Sequence, residues 1–141
     1  MGSQQQQPEL APVGWVESPL RDLAAAPKQG DEGAPNAWLV LDESLLAALN
    51  GLAVGDRLLV LTWLDRARRD VLEVFPRGDR SRSPLGVFAT RSPDRPNPIG
   101  LHRAEVLAIE GNRVQVSELE AVDGTPVLDL KPVLSEDVGE R

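Results

Sequence analysis

The sequence predicts a mainly β fold: a single compact β-barrel of about seven short strands with one short helix. Three observations predict it. Most apolar stretches are short, and several alternate with polar residues, the two-residue period of a strand with one buried face. Twelve glycines and twelve prolines punctuate the 141 residues, which favours short strands and turns over long helices. Only one segment repeats leucine at helical spacing. One helix among so many strands fits neither open α/β layering nor a helical bundle, and closing the sheet removes exposed edges. A chain of this length fits one domain that buries a core without metal or disulfide support.

"MGSQQQQPELA", residues 1–11, lacks periodicity and is expected to be a disordered arm, which leaves 12–141 for the barrel. "VGWVES" (13–18) reads as a first strand closed by Pro19, and the glycines and prolines of "APKQGDEGAPN" (26–36) make that stretch loop. "AWLVL" (37–41) is a short strand. Asp42 then caps a small helix with Leu45, Leu46, Leu49 and Leu52 at helical spacing, ended by Asn50-Gly51. "DRLLVLTWLD" (56–65) is nearly all apolar and reads as a central strand covered on both faces. Arg66 to Arg69 form a charged turn into "DVLEVF" (70–75), which is expected to pair with the preceding strand. A long loop, "PRGDRSRSPL" (76–85), leads to another expected strand, "GVFAT" (86–90). "LHRAEVLAIE" (101–110) and "RVQVSEL" (113–119) flank Gly111-Asn112 as a hairpin, and "VDGTPVLDLKPVL" (122–134) supplies a turn and the last strand.

Composition excludes several chemistries. With no cysteine, disulfides, zinc-thiolate sites and thiol catalysis are absent. The single histidine, His102, excludes a His-rich metal site and reads as a surface or strand residue, so no metal is expected. No glycine pair has G-x-G spacing, so a Rossmann-type nucleotide site is not indicated. The longest apolar run, "LLVLTWL" (58–64), is too short to span a bilayer and the N-terminus lacks a signal sequence, which points to a cytoplasmic protein. Charge is unevenly spread. From Arg66 to Arg103, nine arginines face four acids, a local +5 that leaves −12 for the rest of a chain whose total is −7. A basic field on an acidic body suits a specific anionic ligand or a structured RNA better than general nucleic-acid adhesion; a solvated arginine-rich loop is the plainer alternative.

Three loops join constrained backbone to polar side chains: "PKQG" (27–30), "RSPDRPNPIG" (91–100) and "DGTP" (123–126). In the second, the prolines hold Ser92, Arg95 and Asn97 extended, so Arg91, Arg95 and Asn97 are presented with little entropy left to lose. A rigid connector is the other reading. In the third, Asp123 offers an acceptor suited to a ribose diol and Gly124 allows close backbone approach, although such a tetrapeptide is also an ordinary turn.

"GVFATRSPDRPNPIGL" (86–101), followed by "DGTPVLDLKP" (123–132), resembles the TrmO or TsaA-like family. These are S-adenosyl-L-methionine-dependent methyltransferases acting on N6 of threonylcarbamoyl-adenosine beside the tRNA anticodon. The resemblance runs from Val13 to Leu134 and is strongest over 86–101 and 121–132. It implies a single-sheet barrel, usually a homodimer, whose loops hold the cofactor without a Rossmann fold. By resemblance, S-adenosyl-L-methionine is held by Gln29, Gly30, Arg91, Leu101, Asp123, Gly124, Thr125 and Pro126. Its carboxylate suits an arginine, its ribose an acceptor such as Asp123, and its adenine apolar side chains. Transfer is direct displacement, for which alignment and exclusion of water provide most of the rate. Asn97 and Asp123 are the candidate catalytic residues, with a purely cofactor-binding role for Asp123 equally open. Arg95, Asn97 and the Arg77, Arg80, Arg82 loop are candidates for an anionic substrate, in a dimer also for the partner's pocket. Asp65 stands near the place of a histidine common in the family, and longer members continue past "KPVL" into a C-terminal extension.

Three functional readings remain: a tRNA methyltransferase, the same barrel modifying a small molecule with S-adenosyl-L-methionine, and a non-catalytic module that binds it. Salt-sensitive binding favours the first, a neighbouring biosynthetic gene set the second, and cofactor affinity without turnover the third.

Overall fold

The computed structural model describes residues 6–21 and 33–134. Alternation governs its strands. In Ile99–Glu110 the side chains of Ile99, Leu101, Arg103 and Glu105 face outward while Gly100, His102, Ala104 and Val106 are buried. Ala37–Leu41 buries Ala37, Leu39 and Leu41 in the same way, and Arg113–Val116 buries Val114 and Val116. Arg57–Trp63 departs from alternation because Leu58, Leu59, Val60 and Thr62 are all buried, as expected for a strand covered on both faces.

In chain order the strands are β1 (Gly14–Glu17), β2 (Ala37–Leu41), β3 (Arg57–Trp63), β4 (Glu73–Val74), β5 (Leu85–Gly86), β6 (Ile99–Glu110), β7 (Arg113–Val116) and β8 (Pro126–Pro132). Six of them close in a ring in the order β1–β2–β7–β6–β3–β8, and β8 pairs back onto β1. Every pairing is antiparallel. The ring encloses Val16, Leu39, Leu58, Val60, Val106, Val114, Val116 and Val127, and Leu119 plugs it from the segment after β7. β6 and β7 form the expected hairpin, with Gly111 at φ +61.

The helical segment between β2 and β3 is a 3-10 helix, Glu43–Leu49. Asp42 caps it, accepting from the backbone N–H of Ser44 at 2.9 Å and from the Ser44 hydroxyl at 2.8 Å. Those two bonds hold the Asp42 carboxyl below its ordinary range. The tighter winding leaves Leu45 and Leu46 exposed, while Leu49 and Leu52 pack on the core. Asn50 caps the C-terminus, and Gly51 at φ +96 turns the chain away.

Two expectations fail in the segment between β3 and β6. "DVLEVF" does not pair with β3: only Glu73–Val74 is strand, and it pairs with Leu85–Gly86 as a separate two-stranded sheet. "GVFAT" is not a strand either, since Val87–Ala89 is a 3-10 turn. The cause of the first lies in Arg66 to Arg69. These residues do not reverse the chain onto β3; the backbone of Arg68 pairs instead with the 94–95 stretch, accepting from the Arg95 N–H at 3.0 Å and donating to Asp94 Oδ1 at 2.9 Å.

Candidate functional site

Register brings two of the three singled-out loops, 91–100 and 123–126, to one rim of the ring. Thr62 of β3 pairs with Gly100 on one side and Val127 on the other. The loops entering β6 and β8, residues 91–98 and 122–125, therefore flank the end of β3. β1 ends at the same rim, where Trp15 pairs with Pro126 and the Val16 N–H donates to Thr125 O at 2.9 Å. Residues 18–21 and 35–36 lie there too: Asp123 N donates to Leu20 O at 2.7 Å and Leu119 N to Pro35 O at 2.9 Å. Gln29 and Gly30 lie outside the described residues.

The 91–98 wall is braced from within and from outside. Arg95 donates through Nε to Ser92 O at 2.7 Å and through Nη2 to Val87 O at 2.6 Å and Thr90 O at 2.5 Å. Three of its five N–H donors thus gather the carbonyls of the loop itself. Arg69 holds the other side, donating through Nε to Pro96 O at 2.7 Å and through Nη2 to Asn97 Oδ1 at 2.9 Å, with its guanidinium 5.2 Å from the centre of the Trp63 ring. Arg68 and Asp70 form an exposed fork-like pair; hydrogen bonding by Arg68 and then its charge hold the Asp70 carboxyl below its usual range, and Asp70 raises Arg68 in return.

Across β3, the 122–126 turn is tied to β1. Asp123 Oδ1 accepts from the Ser18 N–H at 2.9 Å, Gly124 N donates to Val16 O at 2.7 Å, and Arg21 Nη1 stands 3.9 Å from Asp123 Oδ2. The Asp123 side chain stays 33% exposed, so its carboxylate keeps acceptor capacity toward a ligand. Gly124, at φ +83, is exposed and presents bare backbone. Thr125 is buried, and its hydroxyl donates to Val122 O at 2.7 Å, closing the turn. Pro126 is half-buried at the start of β8.

Arg91 and Asn97 are exposed on the first wall. Leu101 lies on the outer face of β6 beside Ile99, and both are exposed. Arg82 is exposed in the 76–84 segment, on the arm that carries β4 and β5. The segments that reach this rim carry a cation at Arg91, a carboxylate at Asp123, bare backbone at Gly124 and apolar side chains at Ile99 and Leu101. That set fits the groups of S-adenosyl-L-methionine: an amino-acid carboxylate, ribose hydroxyls and an adenine face. A depression of ≈ 210 Å³ lined by Arg57, Arg103, Ala104, Glu105 and Val133 lies at the opposite end of β3 and contains none of these residues. Among the described residues no metal-binding cluster forms, and no helix is long and apolar enough to cross a membrane.

Sequence reasoning missed a buried polar chain at this rim. His102, 5% exposed, bonds through Nε2 with Thr62 Oγ1 at 2.7 Å and through Nδ1 with the Glu120 carboxylate. The signal was present: His102 occupies an inward position in β6, two residues after Gly100 and two before Ala104.

Comparison with known proteins matches residues 15–137 to the family described as the tRNA-methyltransferase O N-terminal domain. A protein of Archaeoglobus fulgidus named S-adenosyl-L-methionine-binding protein is 41% identical over 86% of each chain. A Methanothermobacter thermautotrophicus protein, named a probable S-adenosyl-L-methionine-binding protein, is 42% identical over 87% of this chain and 88% of its own. The crystal structure of TrmO from Pseudomonas aeruginosa superposes with a TM-score of 0.72 at 31% identity, covering 92% of this chain. The present chain spans only 57% of that TrmO. On the family match and these identities, the chain belongs to the TrmO N-terminal domain family.

Proposed function

We propose that the protein is an S-adenosyl-L-methionine-dependent methyltransferase whose acceptor is N6 of threonylcarbamoyl-adenosine in the tRNA anticodon loop. The observation that carries this reading is that the 91–98 wall and the 122–126 turn flank Thr62 on either side. When bound, the cofactor supplies an activated methyl group, and the chain needs only to align it and keep water out. Arg91 pairs with the amino-acid carboxylate, Asp123 accepts from the ribose, and Gly124, Thr125, Pro126 and Leu101 shape the remaining wall, with Gln29 and Gly30 as further contacts of the cofactor. Asn97 orients the acceptor. Its Oδ1 is occupied by Arg69, so the Nδ2 amide is the group left to donate to a substrate carbonyl. Arg82 and the surrounding arginines attract the RNA backbone, and a homodimer brings this arm to its partner's site.

The names of the archaeal relatives state S-adenosyl-L-methionine binding, which supports the cofactor; a second reading is that the chain binds it without transferring its methyl. Both readings require cofactor binding at Arg91. Arg91→Ala is expected to weaken binding in a calorimetric titration by roughly 10- to 100-fold, the loss of one charge-assisted pair. Its melting temperature should stay unchanged, because Arg95 and Arg69 brace the loop. Normal affinity in this variant would remove Arg91 from the site. Methyl transfer to tRNA by the wild-type chain separates the two readings.

A further inference from the structure

We infer that His102 is a positioning residue, tying the 120–126 turn to β3 and β6 and thereby setting the place of Asp123. Only the cofactor arm of this inference rests on the proposed function. The other inward side chains of the ring are almost all Val, Leu or Ala, so apolar residues would fill this position without desolvating polar groups. A polar chain offers direction instead: a hydrogen bond fixes its partner in distance and angle, whereas apolar packing tolerates sliding. His102 touches both walls. Its Nε2 meets Thr62, between the starts of β6 and β8, and its Nδ1 holds Glu120, three residues before Asp123. A carboxylate only accepts, so Nδ1 carries the proton, and in the neutral ring Nε2 accepts from the Thr62 hydroxyl. Gly100 leaves room for this chain, since a Cβ there would lie 2.4 Å from Thr62 Oγ1 and 2.7 Å from His102 Nε2. The segment from Ser117 to Thr125 belongs to no strand, and Glu120 gives it a directional anchor in the interior, where its side chain is 16% exposed.

The test compares Glu120→Ala, Glu120→Gln and His102→Ala with the wild-type chain by amide hydrogen exchange. Loss of the tie should speed exchange at Asp123, Gly124 and Thr125 about tenfold in Glu120→Ala, with β3 amides unchanged. Glu120→Gln, which still accepts from Nδ1–H, should restore protection. S-adenosyl-L-methionine affinity should follow the same order, about tenfold weaker in Glu120→Ala and recovered in Glu120→Gln. Should His102→Ala fold, combining it with Glu120→Ala should add little to either single change. Unchanged exchange at the turn in Glu120→Ala would overturn the inference, as would equal acceleration of the turn and β3, the mark of general destabilisation. If the wild-type chain binds no S-adenosyl-L-methionine, the functional reading falls while the exchange comparison still decides the tie.

Discussion

Replacing Arg95 with lysine is expected to loosen the 87–98 segment nearly as much as replacing it with alanine. Lysine keeps the positive charge but lacks the planar fork that reaches the carbonyls of Val87, Thr90 and Ser92 together. Losing those bonds should cost about 2–3 kcal/mol, allowing for the partial exposure of the site and for local relaxation. For a domain of this size that corresponds to a fall in melting temperature of about 10 °C, measured by thermal unfolding. The loop stiffness then has two sources: prolines restrict each backbone and Arg95 fixes the path between them. A lysine variant with wild-type stability would mean that charge toward a ligand, rather than bracing, explains the residue.

Gly14→Ala should be as damaging, for a different reason. A Cβ on Gly14 would lie 2.1 Å from Val40 O and 2.8 Å from Leu41 Cα, both backbone atoms of the neighbouring strand. β1 would have to move away from β2. Since β1 also pairs with β8, the ring would be strained at its seam, with an expected loss of about 3 kcal/mol read from denaturant unfolding. Cofactor affinity should fall as well, because Val16 holds the turn through Gly124 N and Thr125 O. Gly111→Ala is the control. Its φ of +61 strains an alanine by only about 1 kcal/mol, and no atom lies within 4 Å to clash with it. Equal effects at the two glycines would show that close strand approach is not what Gly14 provides.

Much of the ring was legible because its strands obey simple patterns. β2 matches the expected "AWLVL" residue for residue, β3 lies within the apolar run, and the β6–β7 hairpin sits at Gly111-Asn112. The failures cluster between β3 and β6. Arg66 to Arg69 look like a solvated turn, yet Arg68 and Arg69 serve residues 94–97, a pairing between distant segments that local pattern does not carry. Val87 and Phe88 have strand-forming side chains, but the carbonyls of Val87 and Thr90 are gathered by Arg95, and the local backbone coils. The same limit applies to the site. Its loops stood out by their prolines and polar residues, whereas the bracing role of Arg95 depends on a local coil that strand-forming neighbours conceal, and the interior tie at His102 on partners far along the chain.

The proposed methyl transfer at this rim is tested by mass spectrometry of nucleosides after incubating the protein with S-adenosyl-L-methionine and tRNA containing threonylcarbamoyl-adenosine. This nucleoside should gain one methyl group with the wild-type chain, and far more slowly with Arg91→Ala. A wild-type chain that binds S-adenosyl-L-methionine yet leaves the nucleoside unchanged would contradict it.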